Sequence, residues 1–465
     1  MKILISTWGS PWWYPESDPE KCEDIRWKML SYEVQLEPAS GKKYTCRTTT
    51  IPLIEELKPD LVLILGTDTV VAPSEGSENY GELLKAAEEK YRVFLEADYK
   101  VAGIAPGIDL QKNVQIAVIP FPGEFQLGPP SNSAKQWLRS EVDPSDTRTF
   151  LLWEITKAIY TAIGEASKTP TPGEKITIAV DTSHGFNVVP VLAYSIVREL
   201  ADALSLIYDV DVQEFNSAPV EGDLPPNGLK EKRIMRADSY KGKQFSGLSF
   251  DKPEAVMSGG KLRGIKIGSE SQPGAQPPNP LCQISRDDLL AFVAGVAYAF
   301  PLVIYRFFPD HHALFKCGKA ITNKWISDSK VTTTESGVTL GHPHRLHEDF
   351  KLLAYSMLIS RILSGINLQK KDRISKSDVE LLRENVYKAN PLWDHVLSST
   401  ERDLFDTGSE PDIRNFIAHS GLTWKLIQMT SEEKENYVGY LQGKEDSVKK
   451  LTKKLYSHNQ TKADR

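Results

Sequence analysis

Short β-rich runs alternate with helical patterns through the first half of the chain, and this alternation limits the possible folds more than any other feature. Apolar runs of strand length that alternate with helices are typical of a parallel sheet with helices on its faces. We therefore predict an α/β domain with a Rossmann-like, parallel-rich sheet. Its predicted strands are Lys2–Thr7, Asp60–Leu65, Val114–Ile119 and Lys175–Asp181, and its predicted helices are Glu82–Leu95, Thr147–Ile163 and Val188–Ile207.

The sequence changes character beyond this domain, and the change predicts three parts. Residues 1–215 are the predicted α/β domain, residues 216–280 a Pro- and Gly-rich insertion and linker, and residues 281–465 a domain of helical patterns. Within the insertion, residues 230–266 hold ten Lys or Arg against four Asp or Glu. Such a segment is either a solvated insertion or a surface that attracts phosphates, and its role stays open.

Helical patterns dominate the C-terminal part, which we predict to be all-α. One segment, Leu289–Tyr305, carries no charge. It is shorter than the roughly 20 residues that a membrane span needs, so we predict a buried core helix and no membrane partner. The predicted helices are Arg286–Phe300, Leu346–Leu363, Ser375–Ala389, Glu410–Ser420 and Ser431–Leu441.

Composition excludes several classes of protein. With 465 residues, 40% hydrophobic and 25% charged, the chain is neither disordered nor collagen-like. Its net charge of -6 disfavours a protein that coats nucleic acid, so we expect any contact with nucleic acid to be local. The N-terminus is typical of a buried strand and not of a signal peptide, and we expect a cytoplasmic protein. Four widely spaced cysteines without a CxxC pair disfavour a zinc finger and leave free thiols and disulfides both open.

Small, hydroxyl-bearing segments that contain glycine follow three of the predicted strands. Open parallel sheets bind ligands beyond the carboxyl ends of their strands. Glycine lets backbone N–H groups approach a ligand closely, and the N-terminus of a following helix favours anions. We predict an anion- or nucleotide-binding crevice formed by these strand ends. Its candidate residues are Trp8, Ser10, Thr67, Thr69, Thr182, Ser183, His184, Gly185 and Asn187.

Two residue types in this crevice have alternative interpretations. The sequence has no GxGxxG after a strand and no GxxxxGK[ST], which disfavours ordinary dinucleotide and P-loop chemistry. Bases stack on rings such as those of Trp8, Trp12 and Trp13, but the same rings can cap the sheet or fill a subunit interface. His184 is either a ligand-binding or acid–base group or a polar structural residue.

A short helical segment near the C-terminus gathers residues that suit RNA cleavage. At about 100° per residue, Arg414, Asn415 and His419 share one face of the predicted helix, opposite an apolar stripe. Small Ala418 lies between them and permits close approach of a two-fold mate. A histidine can move protons and an arginine can stabilise charge on a phosphate, while the 2′-hydroxyl of the RNA attacks without a metal. As an isolated pattern, the same face is also compatible with a solvated helix surface.

Two motifs in this order resemble those of a known family. RNFIAH (Arg414–His419) resembles the R-x4-H motif of HEPN ribonucleases, and DTSHGFN (Asp181–Asn187) resembles a motif of CARF domains. With the CARF-like motif first and the HEPN-like motif last, the chain resembles the CRISPR-associated CARF–HEPN ribonucleases of type III systems, in the Csx-one group. The resemblance spans nearly the whole chain, although its motifs cover only short segments.

The resemblance implies a function and a set of roles. It implies a homodimer, or a higher oligomer built of dimers, whose CARF domains bind cyclic oligoadenylate, with the tetraadenylate expected as activator. Binding would switch on a composite site that cuts single-stranded RNA in antiviral defence, leaving 2′,3′-cyclic phosphate ends and requiring no cofactor. Carried over by motif, Arg414 and His419 would be catalytic with Asn415 in support, and His184, Gly185 and Asn187, with Thr182 and Ser183, would line the activator pocket.

Two other functions remain open from the sequence. His342, His344 and His347 are metal-ligand types in one segment and predict a metal-dependent hydrolase, although they do not form HExxH and Pro343 disfavours a helix at His342. The alternative is a polar loop and no metal site. A third possibility is a nucleotide sensor without catalysis that presents its basic insertion to nucleic acid.

Overall fold

A computed structural model gives the structure of the chain and describes most of its residues. The described residues are 1–12, 25–27, 29–36, 41–71, 79–127, 136–165, 171–185, 188–217, 231–243, 245–248, 262, 265–267, 282–334, 337–399, 420–422, 426–432 and 435–463.

An eight-stranded mixed sheet forms the N-terminal half and confirms the predicted fold class. Its strands are arranged in the order β3-β2-β10-β9-β8-β1-β4-β5, and the last five of these, β9, β8, β1, β4 and β5, run parallel to one another. Strand β10 pairs antiparallel to β9 and parallel to β2. These strands are β1 (Lys2–Trp8), β2 (Leu30–Val34), β3 (Lys43–Cys46), β4 (Leu61–Thr67), β5 (Val114–Ile119), β8 (Lys175–His184), β9 (Asp209–Ser217) and β10 (Glu231–Lys241).

Helices cover both faces of this sheet because alternate residues of its central strands are apolar on both sides. Ile3 and Ile5 face one core, which also holds residues of the helical half, and Leu4 faces a second core. The helices of the N-terminal half are α1 (Thr50–Leu57), α2 (Tyr80–Ala102), α3 (Leu110–Asn113), α4 (Pro144–Glu165) and α5 (Val188–Leu204), with a 3-10 turn at Asp68–Val70.

The C-terminal part is mainly helical. The Ser285 hydroxyl accepts a hydrogen bond from the Asp288 N–H and begins the first helix, and a break at residues 298–300 divides the predicted Arg286–Phe300 segment from the next helix. The helices are α6 (Arg286–Ala297), α7 (Pro301–Arg306), α8 (His311–Asp328), α9 (Asp349–Ser364), α10 (Lys376–Leu382), α11 (Pro391–Ser399) and α12 (Glu445–Ala463), with a π turn at Arg383–Tyr387.

One predicted helix is wrong. The segment Ser431–Leu441 lies in a hairpin of β16 (Ile427–Glu432) and β17 (Glu435–Tyr440), and β17 also pairs with β15 (Arg373–Ser375). The Glu-rich middle of the segment favours a helix locally, but pairing with a strand about 60 residues earlier overrides that preference.

A smaller sheet joins the two halves. It has the order β12-β13-β7-β6, and its central pair runs parallel between β7 of the N-terminal half and β13 of the helical half. Beside it, the Arg345 Nε donates to the Asp146 carboxylate at 2.7 Å. The strands are β6 (Gly123–Leu127), β7 (Gln136–Ser140), β12 (Lys330–Thr334) and β13 (Gly337–Gly341), followed by β14 (His344–Leu346), which pairs with β11 (Ile265–Ile267) of the predicted insertion.

Two of the cysteines are joined in a disulfide. Cys282 and Cys317 form a disulfide that ties the residues before α6 to α8, whereas Cys46 is free and buried. Among the described residues, none of the helices has the length and apolar character that crossing a membrane requires.

Candidate functional site

A cavity of about 860 Å³ opens where β8 ends and runs along α5 toward β10. Its volume lies within the range of small-molecule sites, about 300–1,000 Å³. The cavity is lined by Thr182, Ser183, Gly185, Pro190, Val191, Tyr194, Ser195, Arg198, Glu199, Asp202, Glu214, Asn216, Ser217, Lys232 and Tyr240.

Three of the predicted residues line this cavity at the carboxyl end of β8. The Thr182 hydroxyl donates to the Glu214 carboxylate at 3.1 Å, and the Ser183 hydroxyl accepts from the Ser217 N–H at 3.1 Å. Gly185 has no room for a side chain, because a Cβ there would lie 2.6 Å from Pro190 and from the Thr7 hydroxyl. The close approach of the backbone therefore explains the glycine.

Two cations give the cavity its anion-binding character. The guanidinium of Arg198 lies 4.4 Å above the ring of Tyr240. Lys232 is half-buried, and this burial lowers its pKa. Within the part of the chain that the structure describes, neither cation forms an ion pair, so both charges remain available to an anionic ligand.

The carboxylates of the same cavity are already hydrogen-bonded. Asp202 accepts from the Tyr240 hydroxyl and from the Lys243 N–H, both at 2.7 Å. Glu214 accepts from Thr182, as described above, and Glu199 accepts from residues of α4 and α9. These contacts hold the carboxylates in place and leave the cations as the free charges.

The opposite face of the β8 end carries a buried group of hydroxyls around one carboxylate, which we call the hydroxyl cluster (Ser6, Thr49, Thr50 and Asp181). The Asp181 Oδ2 accepts from the Ser6 hydroxyl at 2.8 Å and from the Thr49 hydroxyl at 2.7 Å. Thr50 lies 2.6 Å from Ser6 between the two hydroxyl oxygens. All four side chains are fully buried, so the cluster fixes the ends of β1 and β8 and the start of α1.

His184 belongs to the side of the hydroxyl cluster. Its Nε2 accepts a hydrogen bond from the Thr49 N–H at 3.1 Å, and its ring packs on Trp27 at 4.4 Å between centroids. Burial lowers the pKa of His184 to about 4, an effect that Lys232 adds to and that Asp181 opposes. The imidazole is therefore neutral near pH 7 and does not line the cavity.

Trp8 and Ser10 also make internal contacts. Trp8 is fully buried, and its indole N–H donates to the Thr50 hydroxyl at 2.8 Å. The Ser10 hydroxyl donates to the Trp12 carbonyl at 3.0 Å. The Trp8 and Trp12 rings pack edge-on against Phe94, which corresponds to the capping alternative and not to an open stacking surface.

Thr67 and Thr69 lie at the end of β4 and are buried as well. Their hydroxyl oxygens are 3.0 Å apart, and the Thr67 N–H donates to the Tyr91 hydroxyl at 2.9 Å. Between them, the fully buried Asp68 accepts from the Tyr80 hydroxyl, and burial raises the pKa of Asp68 to about 7. Neither threonine lines the cavity.

The predicted catalytic residues lie outside the described residues. These are Arg414, Asn415 and His419, and Asn187 of the predicted pocket is also outside them. The structure resumes at Ser420–Leu422, which are buried against α7 near Phe300. The Gly421 carbonyl accepts from the Tyr440 hydroxyl at 3.4 Å, which ties the residues that follow the motif to β17.

The histidines of the alternative metal site make separate contacts. His342 stacks on Trp325 and pairs with the Ser329 hydroxyl at 2.8 Å, and burial lowers its pKa to about 4. His344 lies 3.5 Å from Asp328, and His347 accepts from the Asp349 N–H at 3.1 Å. Across the described ranges, no three His, Cys, Asp or Glu side chains are grouped as metal ligands. His344 begins β14, which pairs with β11, so this segment is in part a strand and not only a polar loop.

Sequence reasoning missed the cations of the cavity, and none of the four members of the hydroxyl cluster was among its candidate residues, although Asp181 begins the CARF-like motif. Arg198 projects from α5, ten residues past its start, and Lys232 comes from β10, in the segment interpreted as an insertion. A signal for the second group was present, because Thr48, Thr49 and Thr50 form a run that leads into α1. The rule that ligands bind at strand ends does not point to α5 or β10, which complete the cavity.

The comparisons with known proteins match the N-terminal part of the chain, which supplies most of the cavity lining, to a known domain. Residues 3–219 match the family model described as the CARF domain of the CRISPR system endoribonuclease Csx1. The chain is also 23% identical over 460 residues to the CRISPR system endoribonuclease Csx1 of Methanocaldococcus jannaschii, an alignment that covers 92% of this chain and 86% of the relative.

These findings define the class of the protein. The part that matches the CARF domain holds seven of the eight strands of the sheet and most of the cavity lining, whereas β10, with Lys232 and Tyr240, follows it. The resemblance stated from the sequence is confirmed: residues 3–219 match the Csx1 CARF domain, and the chain is similar to a Csx1 endoribonuclease over 92% of its length.

Proposed function

We propose that this chain is an endoribonuclease of type III CRISPR antiviral defence in the cytoplasm, activated by cyclic oligoadenylate bound in the cavity at the end of β8. The activator we propose is cyclic tetraadenylate. One observation carries the proposal: the hydroxyls of Thr182 and Ser183 and the close backbone at Gly185 meet two cations without ion-pair partners, Arg198 and Lys232, among the described residues. Phosphodiesters are recognised by this combination of hydroxyls, backbone and positive charge.

A second copy of the chain completes the proposed site. Val188 and Val191, at the start of α5 beside the cavity, are 44% and 68% exposed. Exposed apolar side chains at the mouth of a polar cavity favour burial against a partner. A homodimer would bring two cavities together around one symmetric activator, as it would bring together two copies of the catalytic helix.

The proposed chemistry uses the motif near the C-terminus. In each active site, His419 moves protons, Arg414 stabilises the charge that develops on the phosphate, and Asn415 supports them. The 2′-hydroxyl of single-stranded RNA attacks the neighbouring phosphorus and the 5′-oxygen leaves, so the products carry 2′,3′-cyclic phosphate and 5′-hydroxyl ends. No metal takes part in this proposal. The relative from Methanocaldococcus jannaschii, named an endoribonuclease, supports the RNase activity.

The test is cleavage of a labelled single-stranded RNA in EDTA, with and without cyclic tetraadenylate. We expect the wild type to cut only with the activator, and His419→Ala to lose about 100-fold or more of the rate. His312→Ala, which removes an exposed histidine of the same half, is the matched control and should keep the rate.

The outcomes separate the alternatives. Full activity of His419→Ala would contradict the proposed catalytic role. Cleavage that EDTA abolishes and added metal restores would favour the metal-dependent hydrolase, and activator binding without cleavage would favour a sensor.

A further inference from the structure

Glu199 joins the cavity to the helical half. It projects from α5 into the lining of the cavity, and its carboxylate also reaches α9. The Tyr355 hydroxyl donates to its Oε2 at 3.1 Å, and the Lys351 ammonium lies 3.1 Å from the same oxygen. On its other side, Arg148 of α4 donates to Oε1 at 2.9 Å. One carboxylate thus joins three helices at the wall of the cavity.

The contact on α9 leads toward the segment that carries the predicted catalytic motif. At the start of α9, Asp349 accepts from Arg286 of α6 at 2.6 Å, in an ion pair that is almost fully buried. Helix α6 packs on α7, and Gly421 packs against Phe300 at the start of α7. A change in the position of α9 therefore reaches residues directly after the motif through packed, described structure.

The charge arrangement makes Glu199 responsive to an anion. Arg198, the adjacent residue on α5, is a cation without an ion-pair partner in the described chain, and an anionic ligand held by it would lie close to the Glu199 carboxylate. Like charges repel in a partly buried site, so an occupied cavity shifts Glu199 toward Lys351 and Tyr355. The other carboxylate on this helix, Asp202, has its partners within the N-terminal half and cannot make this link.

We propose that Glu199 is the positioning residue that transmits occupancy of the cavity to the helical half, by its contacts with Lys351 and Tyr355. The inference rests on the proposed function, because it takes the occupant to be an anionic activator and the output to be RNA cleavage. It adds the route by which one site acts on the other, a coupling that is separate from the affinity of either site.

The test separates binding from activation. Glu199→Gln keeps the shape of the side chain and removes its charge, and Tyr355→Phe removes the same contact from outside the cavity. For each variant and the wild type, we would measure the affinity for cyclic tetraadenylate, the activated cleavage rate, the KM for RNA and the melting temperature. We expect both variants to bind the activator within a few-fold of the wild type and to lose about tenfold in activated kcat, with KM unchanged.

A matched control excludes a general weakening of the contact between the halves. Asp143 forms an ion pair with Arg345 across the same junction, is about as exposed as Glu199 and does not line the cavity. Asp143→Asn should therefore keep both binding and activation. An equal loss in Asp143→Asn would overturn the specific role of Glu199.

Other results would also overturn the inference. Wild-type activation in Glu199→Gln or Tyr355→Phe would show that the contact carries no signal. A loss of activation explained by weaker activator binding would make Glu199 a binding residue only. If cyclic tetraadenylate neither binds nor activates the wild type, the proposed function fails first, and the binding measurement distinguishes that case from a failed coupling.

Discussion

The two faces of the β8 end use neighbouring residues of one motif for opposite purposes. Thr182 and Ser183 line an open cavity, whereas Asp181 and His184 are enclosed on the hydroxyl cluster side. Successive side chains of a regular strand point to opposite faces. Here β8 has an extra residue opposite β1 between Asp181 and His184, and the consecutive Thr182 and Ser183 both lie on the cavity side. The histidine, the residue of this motif best suited to acid–base chemistry, lies on the side of the hydroxyl cluster.

The two faces differ in whether their charged groups already have partners, and this difference separates ligand binding from structural support. On the cavity side, cations lack ion-pair partners in the described chain, so their charge is available to a ligand. On the other side, the Asp181 carboxylate is surrounded by hydroxyls that are themselves buried. Substitutions on the enclosed side should therefore change stability, and substitutions on the open side should change affinity.

The largest expected effect comes from Asp181→Ala. The change leaves the Ser6 and Thr49 hydroxyls and the Ser183 N–H without their acceptor in a buried site. We expect the free energy of unfolding to fall by about 3 kcal/mol, since each unsatisfied buried group costs about 1–3 kcal/mol. Chemical denaturation of the wild type and the variant measures this change in the free energy of unfolding. The neighbour Thr182→Ala, on the cavity side, should cost less than about 1 kcal/mol, and an equal cost for both would contradict the comparison.

Local patterns predicted the parallel core of the fold well. The strand Val114–Ile119 has the predicted bounds, and β1, β4 and β8 extend theirs by one to three residues. These strands are buried on both faces, so their apolar runs are continuous and visible without knowledge of their partners. Strand β10 is different, because eight of its eleven residues are exposed and its place between β9 and β2 depends on pairing.

The same distinction limits the prediction of the site. Thr182, Ser183 and Gly185 follow an obvious strand, so the rule that ligands bind at strand ends finds them. Lys232 reaches the cavity only because β10 pairs with β9, nearly 50 residues after the motif. Thr67 and Thr69 also follow a strand, but their hydroxyls are buried beside Tyr91, which a pattern of residue types does not reveal.

A smaller effect, on affinity alone, is expected from Lys232→Met. The change removes one of the two cations of the cavity, and we expect affinity for cyclic tetraadenylate to fall about tenfold, or about 1.4 kcal/mol. The loss should shrink as salt is added, because screening weakens the contribution of the charge in the wild type. Arg233→Met, an exposed cation of the same strand outside the cavity, is the control and should bind as the wild type does. Equal losses in both variants would mean that overall charge, and not the cavity, decides affinity.

The smallest effect is a pH dependence that belongs to the enclosed side. Burial lowers the pKa of His184 to about 4, so between pH 6.5 and pH 4 the unfolded chain binds a proton that the folded chain does not. This contribution to stability is complete above pH 6.5 and is lost as the pH falls toward 4, and from pH 8 to pH 6 the loss is about 0.8 kcal/mol. His184→Gln should reduce the loss of stability over that range. Part of the loss should remain in this variant, because burial also lowers the pKa values of His311 and His342.

The affinity for the activator provides the second readout. A histidine enclosed against Thr49 and Trp27 does not meet the ligand, so its titration should leave the affinity of the wild type unchanged from pH 8 to pH 6. If the affinity of the wild type depends on pH and His184→Gln abolishes that dependence, His184 contributes to ligand binding. The two faces of the motif would then both act on the ligand.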